Sequence, residues 1–372
     1  MKLKVGVALT TINIPKNLKN FFEFLQGSSN DVRFEFYVIL DQNTNSETKS
    51  YCEQFQNQSG TAGIEILDPS QQISIFKDNL SLMVTTIPFS SIQRRNFGVL
   101  YALMQDCQVV YLLDDDNFPI SNSFVSSAKL IGKENIFEDV QHISGWVNTC
   151  DFIDCVNGDR IFHRGFPPNL RNKYSANYII GKPSERNKIS VVAGLWLGDP
   201  DVDSVARLSS EPESSLVTFS GHRSISHNLA VFNSQNTFIS REIAMAYFLS
   251  PSLPRYDDIW ISFVISKMMT IKGEALIFGD PIVNQIRNPH DYWKDVDLEK
   301  DAWNATNELV GLLEYIPNEP ELDYIELAEK WIARVLLSSE IITVSRLVHR
   351  FLSEYAIWIH VVSRNFYSKP LL

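Results

Sequence analysis

Three consecutive carboxylates, Asp114-Asp115-Asp116, stand at the end of the apolar run Val109-Val110-Tyr111-Leu112-Leu113. Like charges crowded at the end of a buried strand repel one another unless a cation neutralises them. In extended chain successive side chains point to opposite faces, so Asp114 and Asp116 are expected to face one way together and Asp115 the other. Such a pair suits a hard divalent ion, Mn2+ or Mg2+, that takes oxygen ligands and bridges to a diphosphate. The alternative is a solvated acidic turn ahead of Pro119, and the buried run in front of it favours the metal reading.

A second acidic pair, Asp257-Asp258, precedes an apolar stretch that starts near Ile259. A carboxylate beside another acid and partly desolvated has a raised pKa, which suits it to accept a proton from an acceptor hydroxyl. Asp is also a good N-cap, so one member of the pair is expected to cap the helix while the other serves as base. Arg94 and Arg95 open a helix just ahead of the acidic strand, where a guanidinium can fork onto phosphate or uracil oxygens. Asp41 can accept from a base N–H or a ribose hydroxyl, His290 in Asn288-Pro289-His290 is a candidate third metal ligand, and Trp196 can stack on a sugar.

These residues need a frame. The runs 5–9, 34–40, 64–67 and 109–113 look like buried strands, and between them 18–25 and 91–104 carry apolar residues at helical spacing: Leu18, Phe21, Phe22, Leu25, then Phe97, Leu100, Leu103, Met104. Strand alternating with helix predicts an α/β chain with a parallel, Rossmann-like sheet. In such sheets ligands sit outside the carboxyl ends of the strands, and there Thr10, Thr11, Asn13, Asp41 and the acidic run converge on one rim. From about 118 to 188 the periodicity weakens, and long loops of that kind are usually functional. Further strands are expected at 191–197, 216–219 and 275–278, helices at 241–248 and 259–269, and an almost wholly helical chain after Asp297.

Hydrophobic residues at 44% are enough for a sizeable core, and a net charge of −11 without any Lys/Arg run excludes a nucleic-acid footprint. Four irregularly spaced cysteines, Cys52, Cys107, Cys150 and Cys155, form no disulfide framework and no zinc motif. The opening MKLKVGVALTTIN reads as a first strand, not a signal peptide, and no transmembrane segment is evident, so a cytoplasmic protein is expected. The oligomeric state is not legible.

The strand ending Thr10-Thr11-Ile12-Asn13, the segment Gln93-Arg94-Arg95-Asn96-Phe97-Gly98 and the acidic run with its strand together resemble the GT-A glycosyltransferases. That resemblance implies a GT-A domain over about 1–295 with a C-terminal helical segment, 296–372. It also implies a UDP-sugar bound through Thr10, Thr11, Asn13, Asp41, Arg94, Arg95, Asn96, Asp114, Asp115 and Trp196, a metal on Asp114, Asp116 and His290, and transfer to a glycan acceptor in cell-surface polysaccharide assembly. Downstream, residues 164–171 with Arg171 at their end, Gly194-Leu195-Trp196-Leu197, Asp199-Pro200-Asp201-Val202-Asp203, 227–232 and Arg255-Tyr256-Asp257-Asp258 look like the reversibly glycosylated polypeptides, the plant UDP-arabinopyranose mutases. In that family the arginine matching Arg171 carries the sugar, and the matching Asp pair can supply the base. The plant loop has one proline where this chain has Pro167-Pro168, and the chain also departs from it around Gly221-His222-Arg223. A nucleotide-sugar mutase and a non-catalytic subunit of a complex are therefore the alternatives to a transferase. For Arg171 the fixed fork favours an electrostatic role on the leaving diphosphate over covalent attachment, because a guanidinium stays protonated.

Overall fold

The computed structural model describes residues 2–27, 31–56, 62–78, 80–182, 187–210, 212–215 and 221–367. Four strands, β1 (Leu3–Thr11), β2 (Val32–Leu40), β3 (Ala62–Leu67) and β4 (Val109–Leu113), form one half of the main sheet in the order β3-β2-β1-β4, every pair parallel. Most of their residues are buried, as expected of strands covered on both faces, with the charged Arg33, Glu35 and Glu65 toward the β2–β3 edge. The helix Asn17–Gln26 lays Leu18, Phe21, Phe22 and Leu25 on the sheet as the 3.6-residue spacing requires. The helix Arg95–Met104 lies still closer to the sheet: a Cβ on Gly98 would come within 2.9 Å of the Ala8 Cβ.

Beyond β4 the strand direction reverses. Asn236–Ser240 runs antiparallel to β4, with Asn236 opposite Leu113, and the sheet continues through Ile189–Ala193, Ala275–Phe278, Arg223–Ile225, Asp139–Gln141 and Ile179–Gly181 to ten strands among the described residues. A mixed sheet flanked by helices, followed by C-terminal helices, is thus the architecture. The strand expected at 191–197 is two: Ile189–Ala193 stays in the main sheet, whereas Trp196–Gly198 joins a three-stranded sheet. The chain leaves at Gly194, whose N–H bonds the Asn236 carbonyl at 2.9 Å and where a Cβ would meet the Asn236 amide at 2.4 Å. The strand expected at 216–219 falls outside the described residues.

The small sheet decides where the acidic run meets the end of the chain's α/β part. Asn117–Pro119, directly after the aspartates, pairs antiparallel with Val283–Gln285, Asn117 opposite Gln285, so residues 286–290 are delivered beside Asp114–Asp116. The helices Tyr292–Leu312, Tyr324–Leu337 and Arg346–Phe366 follow, the first spanning residue 295. They are bound to the α/β part by apolar packing and by specific donors. The Tyr324 hydroxyl donates to Glu274 at 2.7 Å and the Trp358 indole to the Met245 carbonyl at 2.8 Å. No helix among the described residues is long and apolar enough to cross a membrane, and the four cysteines are free.

The close approach of helix and sheet at Gly98 yields a direct expectation. Gly98→Val overfills the contact with Ala8 and Ile39 and should destabilise the fold by about 1–3 kcal/mol, read as a lower urea midpoint. An unchanged midpoint would show that the helix is free to back away.

Candidate active site

The carboxyl ends of β1, β2 and β4 open onto a cavity of 410 Å³. Thr10, Thr11 and Asn13, Asp41, Ser91 and Arg94, the three aspartates, and Asn288 to His290 line it. Thr10 and Thr11 are the last residues of β1. The Thr11 hydroxyl donates to Asp115 at 2.6 Å, and the Asn288 amide reaches the other Asp115 oxygen at 3.2 Å. Asp41 accepts from the N–H groups of Gln42 (2.6 Å) and Ser91 (3.1 Å), which fixes the far wall. The acidic run itself is a turn, not extended chain, and Asn17 pins it by donating to the carbonyls of Asp114 and Asn117, each at 2.9 Å.

A second cavity, of 260 Å³, adjoins the first and shares Ile92, Asp114, Asp116 and His290 with it. Asp115 does not line it, so Asp114 and Asp116 do face a common space although the turn, not strand alternation, puts them there. Its other walls carry Arg95, Arg164, Asp201, Ser234, Arg255, Asp257, Asp258 and Arg287. The antiparallel register of Asn236–Ser240 on β4 brings Ser234 and Gln235 to the acidic run, where the Asp114 N–H bonds the Gln235 carbonyl at 3.0 Å.

Most of the buried charge in this cavity has a partner of opposite sign. Arg164, almost fully buried, donates through Nε and Nη2 to Asp201 (2.8 and 3.1 Å) and through Nη1 and Nη2 to Asp258 (both 3.2 Å), and it also bonds the Arg255 carbonyl. Burial alone would raise the Asp201 carboxyl; Arg164 and its neighbours outweigh that and hold it well below the ordinary range. Asp258 accepts further from the N–H and hydroxyl of Ser234, at 3.1 and 3.3 Å. Asp257 accepts from the Gln93 amide at 2.8 Å and, among the described residues, pairs directly with no guanidinium; burial and then the charge of Asp258 outweigh nearby Arg164 and push it up to about 7. Both aspartates sit in the first turn of the helix Asp257–Lys272, where the dipole favours negative charge, but the N-cap is Tyr256 and neither side chain caps the helix. Arg255 just before it holds a left-handed φ of 63°, and its guanidinium pairs with Asp295 (3.3 Å) and Glu299 (2.8 Å) of the helix Tyr292–Leu312.

The adjacent arginines Arg94 and Arg95 have opposite fates. Arg95 donates to the Ser234 carbonyl and hydroxyl, each at 2.7 Å, to Thr10 at 3.3 Å, and pairs with Asp114. Arg94 is turned the other way, onto Gln72 and the carbonyls of Ile87 and Pro88, with Phe89 and Phe97 against its face. It touches the first cavity, yet its donors serve the fold; burial lowers its guanidinium to about 10.

Three expected site residues line neither cavity. Asn96 exchanges hydrogen bonds with the backbone of Leu249, at 2.8 and 3.0 Å, and is a structural clasp. Trp196 is buried, with His163 set edge-on at 5.7 Å. Arg171, at the end of the one-turn helix Pro168–Arg171, pairs with Asp203 at 2.6 Å, donates to the Phe166 carbonyl and lies 4.3 Å above the Trp303 ring. Asp203 in turn caps the helix Ser204–Ser209, so Arg171 is tied into the scaffold by a carboxylate anchored there. Sequence reasoning passed over Arg164, Asp201, Arg255, Arg287, Gln93 and Ser234 as site groups. The first three lie inside segments quoted for their order, but their partners are tens of residues away.

The donor set fits a divalent cation in part. Asp116 is pushed up to about 7 by burial and then by the charges of Asp114 and Asp115, a crowding that a cation relieves. His290 presents Nδ1 to Asp295 at 3.0 Å, the carboxylate–histidine arrangement that orients a metal-ligating ring. Asp114 is engaged by Arg95, and no three His, Cys, Asp or Glu side chains among the described residues close on one point. Asp116 and His290 are therefore the protein groups best placed to hold the ion, the remaining ligands coming from solvent and phosphate.

No family model matches the chain, nor does any curated protein sequence. Solved structures similar to it include the mannosyltransferase PcManGT from Pyrobaculum calidifontis in complex with GDP-mannose and Mn2+, at 10% identity over 99% of this chain and 88% of that one, TM-score 0.39. Another is glucosyl-3-phosphoglycerate synthase from Mycobacterium tuberculosis with Mn2+ and UDP-glucose, at 10% identity over 84% and 77%, TM-score 0.37. A third is TarS 1–349 from S. aureus with UDP-GlcNAc, at 12% identity over 98% and 91%, TM-score 0.39.

The raised Asp257 has a measurable signature. Its ordinary value is 3.8, so between about pH 4 and 7 the folded protein keeps a proton that the unfolded chain has released, and the stability this gives is lost as pH rises through the folded value. Asp257→Asn removes the titration, so its melting temperature relative to the native protein should rise between about pH 4 and pH 8. A constant difference across that range would mean that Asp257 is ionised throughout.

Proposed function

We propose that the protein is a divalent-metal-dependent glycosyltransferase of the GT-A type that transfers a sugar from a nucleotide sugar, a UDP-sugar, to a glycan acceptor in cell-surface polysaccharide assembly. The observation that carries this reading is the pairing of cavities across one acidic turn. A nucleoside-sized space lies at the strand ends on one side, a carboxylate pair in a smaller space on the other, and Asp114, Asp116 and His290 are common to both.

In this reading the nucleoside occupies the larger cavity against Ile39, Asp41 and Ser91, and the diphosphate lies at the acidic turn. Asp116 and His290 hold Mn2+ or Mg2+, whose charge offsets that of the phosphates. Arg95 keeps Asp114 in place and the sugar projects into the second cavity. There an acceptor hydroxyl oxygen forms the new bond to the anomeric carbon, its proton passes to Asp257, and the bond to the diphosphate breaks with its electron pair going to the leaving phosphate oxygen. Asp258 is committed to Arg164 and Ser234, and its proximity holds up the affinity of Asp257 for that proton. The mutase alternative rested on Arg171, which is engaged by Asp203 and Phe166 outside both cavities, so nothing in the geometry favours it.

Two measurements test the reading. Calorimetry with UDP should give tight binding in Mn2+ and weak binding in EDTA, with Asp116→Asn closing the gap; equal affinity in both buffers sinks the metal-dependent site. Release of UDP from UDP-sugars should fall about 10²–10⁴-fold in Asp257→Asn with UDP affinity kept, and the native rate should climb with pH through about 7 as the base loses its proton. A near-native rate in that variant would remove Asp257 from the chemistry.

A further inference from the structure

The net charge of −11 is not spread evenly over the molecule. Among the described residues every arginine outside the last helix, Arg346–Phe366, is in an ion pair, apart from the buried Arg94 that Gln72 holds. The three arginines of that helix, Arg346, Arg350 and Arg364, are exposed and among the described residues pair with no acid.

Their positions form a pattern. The exposed residues of the helix are Arg346, His349, Arg350, Ser353, His360 and Arg364, and all but Ser353 are basic. At 3.6 residues per turn and 1.5 Å per residue they fall on one stripe about 27 Å long. The opposite face is held in the core by Phe351, Tyr355, Trp358 and Val362, and the Tyr355 hydroxyl donates to the Ala246 carbonyl at 3.0 Å. The stripe therefore points away from the protein. Glu354, the one acid of the helix, is turned off it and accepts from the hydroxyls of Ser250 and Ser252. Glu329 of the helix Tyr324–Leu337 interacts with the charge of His360, so the arginines carry the positive charge of the stripe.

At its C-terminal end the stripe borders a cavity of 420 Å³. Ser81, Leu82, His360, Val361, Arg364 and Asn365 line it, and no carboxylate is among them. Leu82 is 49% exposed, so an apolar side chain and a guanidinium open to water at the same place.

A straight row of arginines without acids of their own fits a flat, densely anionic partner. At physiological salt charges are screened beyond about 8 Å, so the acidic remainder of the molecule does not cancel the attraction at the face turned to that partner. A nucleic-acid duplex offers phosphates but no apolar partner for Leu82. The headgroup region of a bilayer offers both in one layer. We infer that the outer face of the helix Arg346–Phe366 docks the protein on a membrane rich in anionic phospholipid, with Arg346, Arg350 and Arg364 on headgroup phosphates and the cavity at Leu82 and Arg364 receiving a headgroup. The helix keeps its apolar face in the core, so the attachment is peripheral. This inference is independent of the glycosyl-transfer reading.

The test is flotation of the full chain with vesicles of phosphatidylcholine, alone or with about one-third phosphatidylglycerol, at low and high salt (about 0.05 and 0.5 M NaCl). The native chain should float with the anionic vesicles at low salt, stay behind with the neutral ones and come off at high salt. The triple variant Arg346→Ala, Arg350→Ala, Arg364→Ala should bind about 100-fold more weakly, roughly 5-fold for each cation removed, whereas the triple Lys variant should stay within about 5-fold of native. UDP affinity in Mn2+ and the melting temperature should be alike in all three proteins, since these exposed side chains line neither active-site cavity. The inference is overturned if the native chain floats with neither kind of vesicle or equally with both, or if the triple Ala variant binds as the native chain does. Tighter binding of a DNA duplex than of the anionic vesicles, through the same three arginines, would also overturn it.

Discussion

Everything in the site depends on how negative charge is neutralised where it cannot be solvated. Asp114, Asp116, Asp201, Asp257 and Asp258 border one small space, and no arrangement of five carboxylates is stable there without counter-charge. The fold supplies it as guanidinium groups from separate stretches of chain: Arg95 from a helix, Arg164 from a loop, Arg255 from the turn before a helix, and Arg287 from the segment after the small sheet. Arginine suits the task because its planar fork meets two carboxylates at once, as Arg164 does with Asp201 and Asp258. The compensation stops short of Asp257, which is left with an amide, and that omission makes it, like Asp116 at the acidic turn, able to take up a proton near neutrality.

The C-terminal helices take part in the same scheme. Glu299 receives Arg255 on one side and the backbone and hydroxyl of Ser204 on the other, at 2.9 and 2.8 Å. Asp295 joins Arg255 to His290; burial opposes its ionisation, but His290 and Arg255 more than offset this and lower its pKa. The left-handed backbone at Arg255 is unusual for a residue with a Cβ, and three separate contacts hold it: its carbonyl to Arg164 and its guanidinium to the two acids. The helix Tyr292–Leu312 therefore braces the site through Arg255 and His290 while belonging to the helical extension.

The half of the fold set by local patterning was legible. β1 to β4 are short runs rich in β-branched and aromatic residues, and the Leu18, Phe21, Phe22, Leu25 stripe gives its helix within a residue at each end. The passage 191–197 misleads because Val-Val-Ala-Gly-Leu-Trp-Leu is apolar throughout, and only the contact of Gly194 with Asn236, more than forty residues on, shows that the chain changes sheets there. The rim residues from Thr10 to Asp116 were found because strand ends are local features. Arg94 and Arg95 could not be told apart, since one turn of helix sends neighbouring side chains in different directions and the partner that claims Arg94, Gln72, is on another helix. Arg171 was named from a resemblance, and the carboxylate that draws it away belongs to the cap of a distant turn.

The reversal of strand direction after β4 has a consequence for how such a protein can change. Residues up to Asp116 and the short stretch 288–290 make the larger cavity, while most of the second cavity comes from residue 164 onward, in the part of the chain that builds the mixed half of the sheet. The two cavities are drawn largely from separate blocks of sequence, which share Ile92, Asp114, Asp116 and His290. Substitutions in the later block that spare Ser234, Gln235 and residues 288–290 can therefore reshape the second cavity while the walls of the first stay as they are.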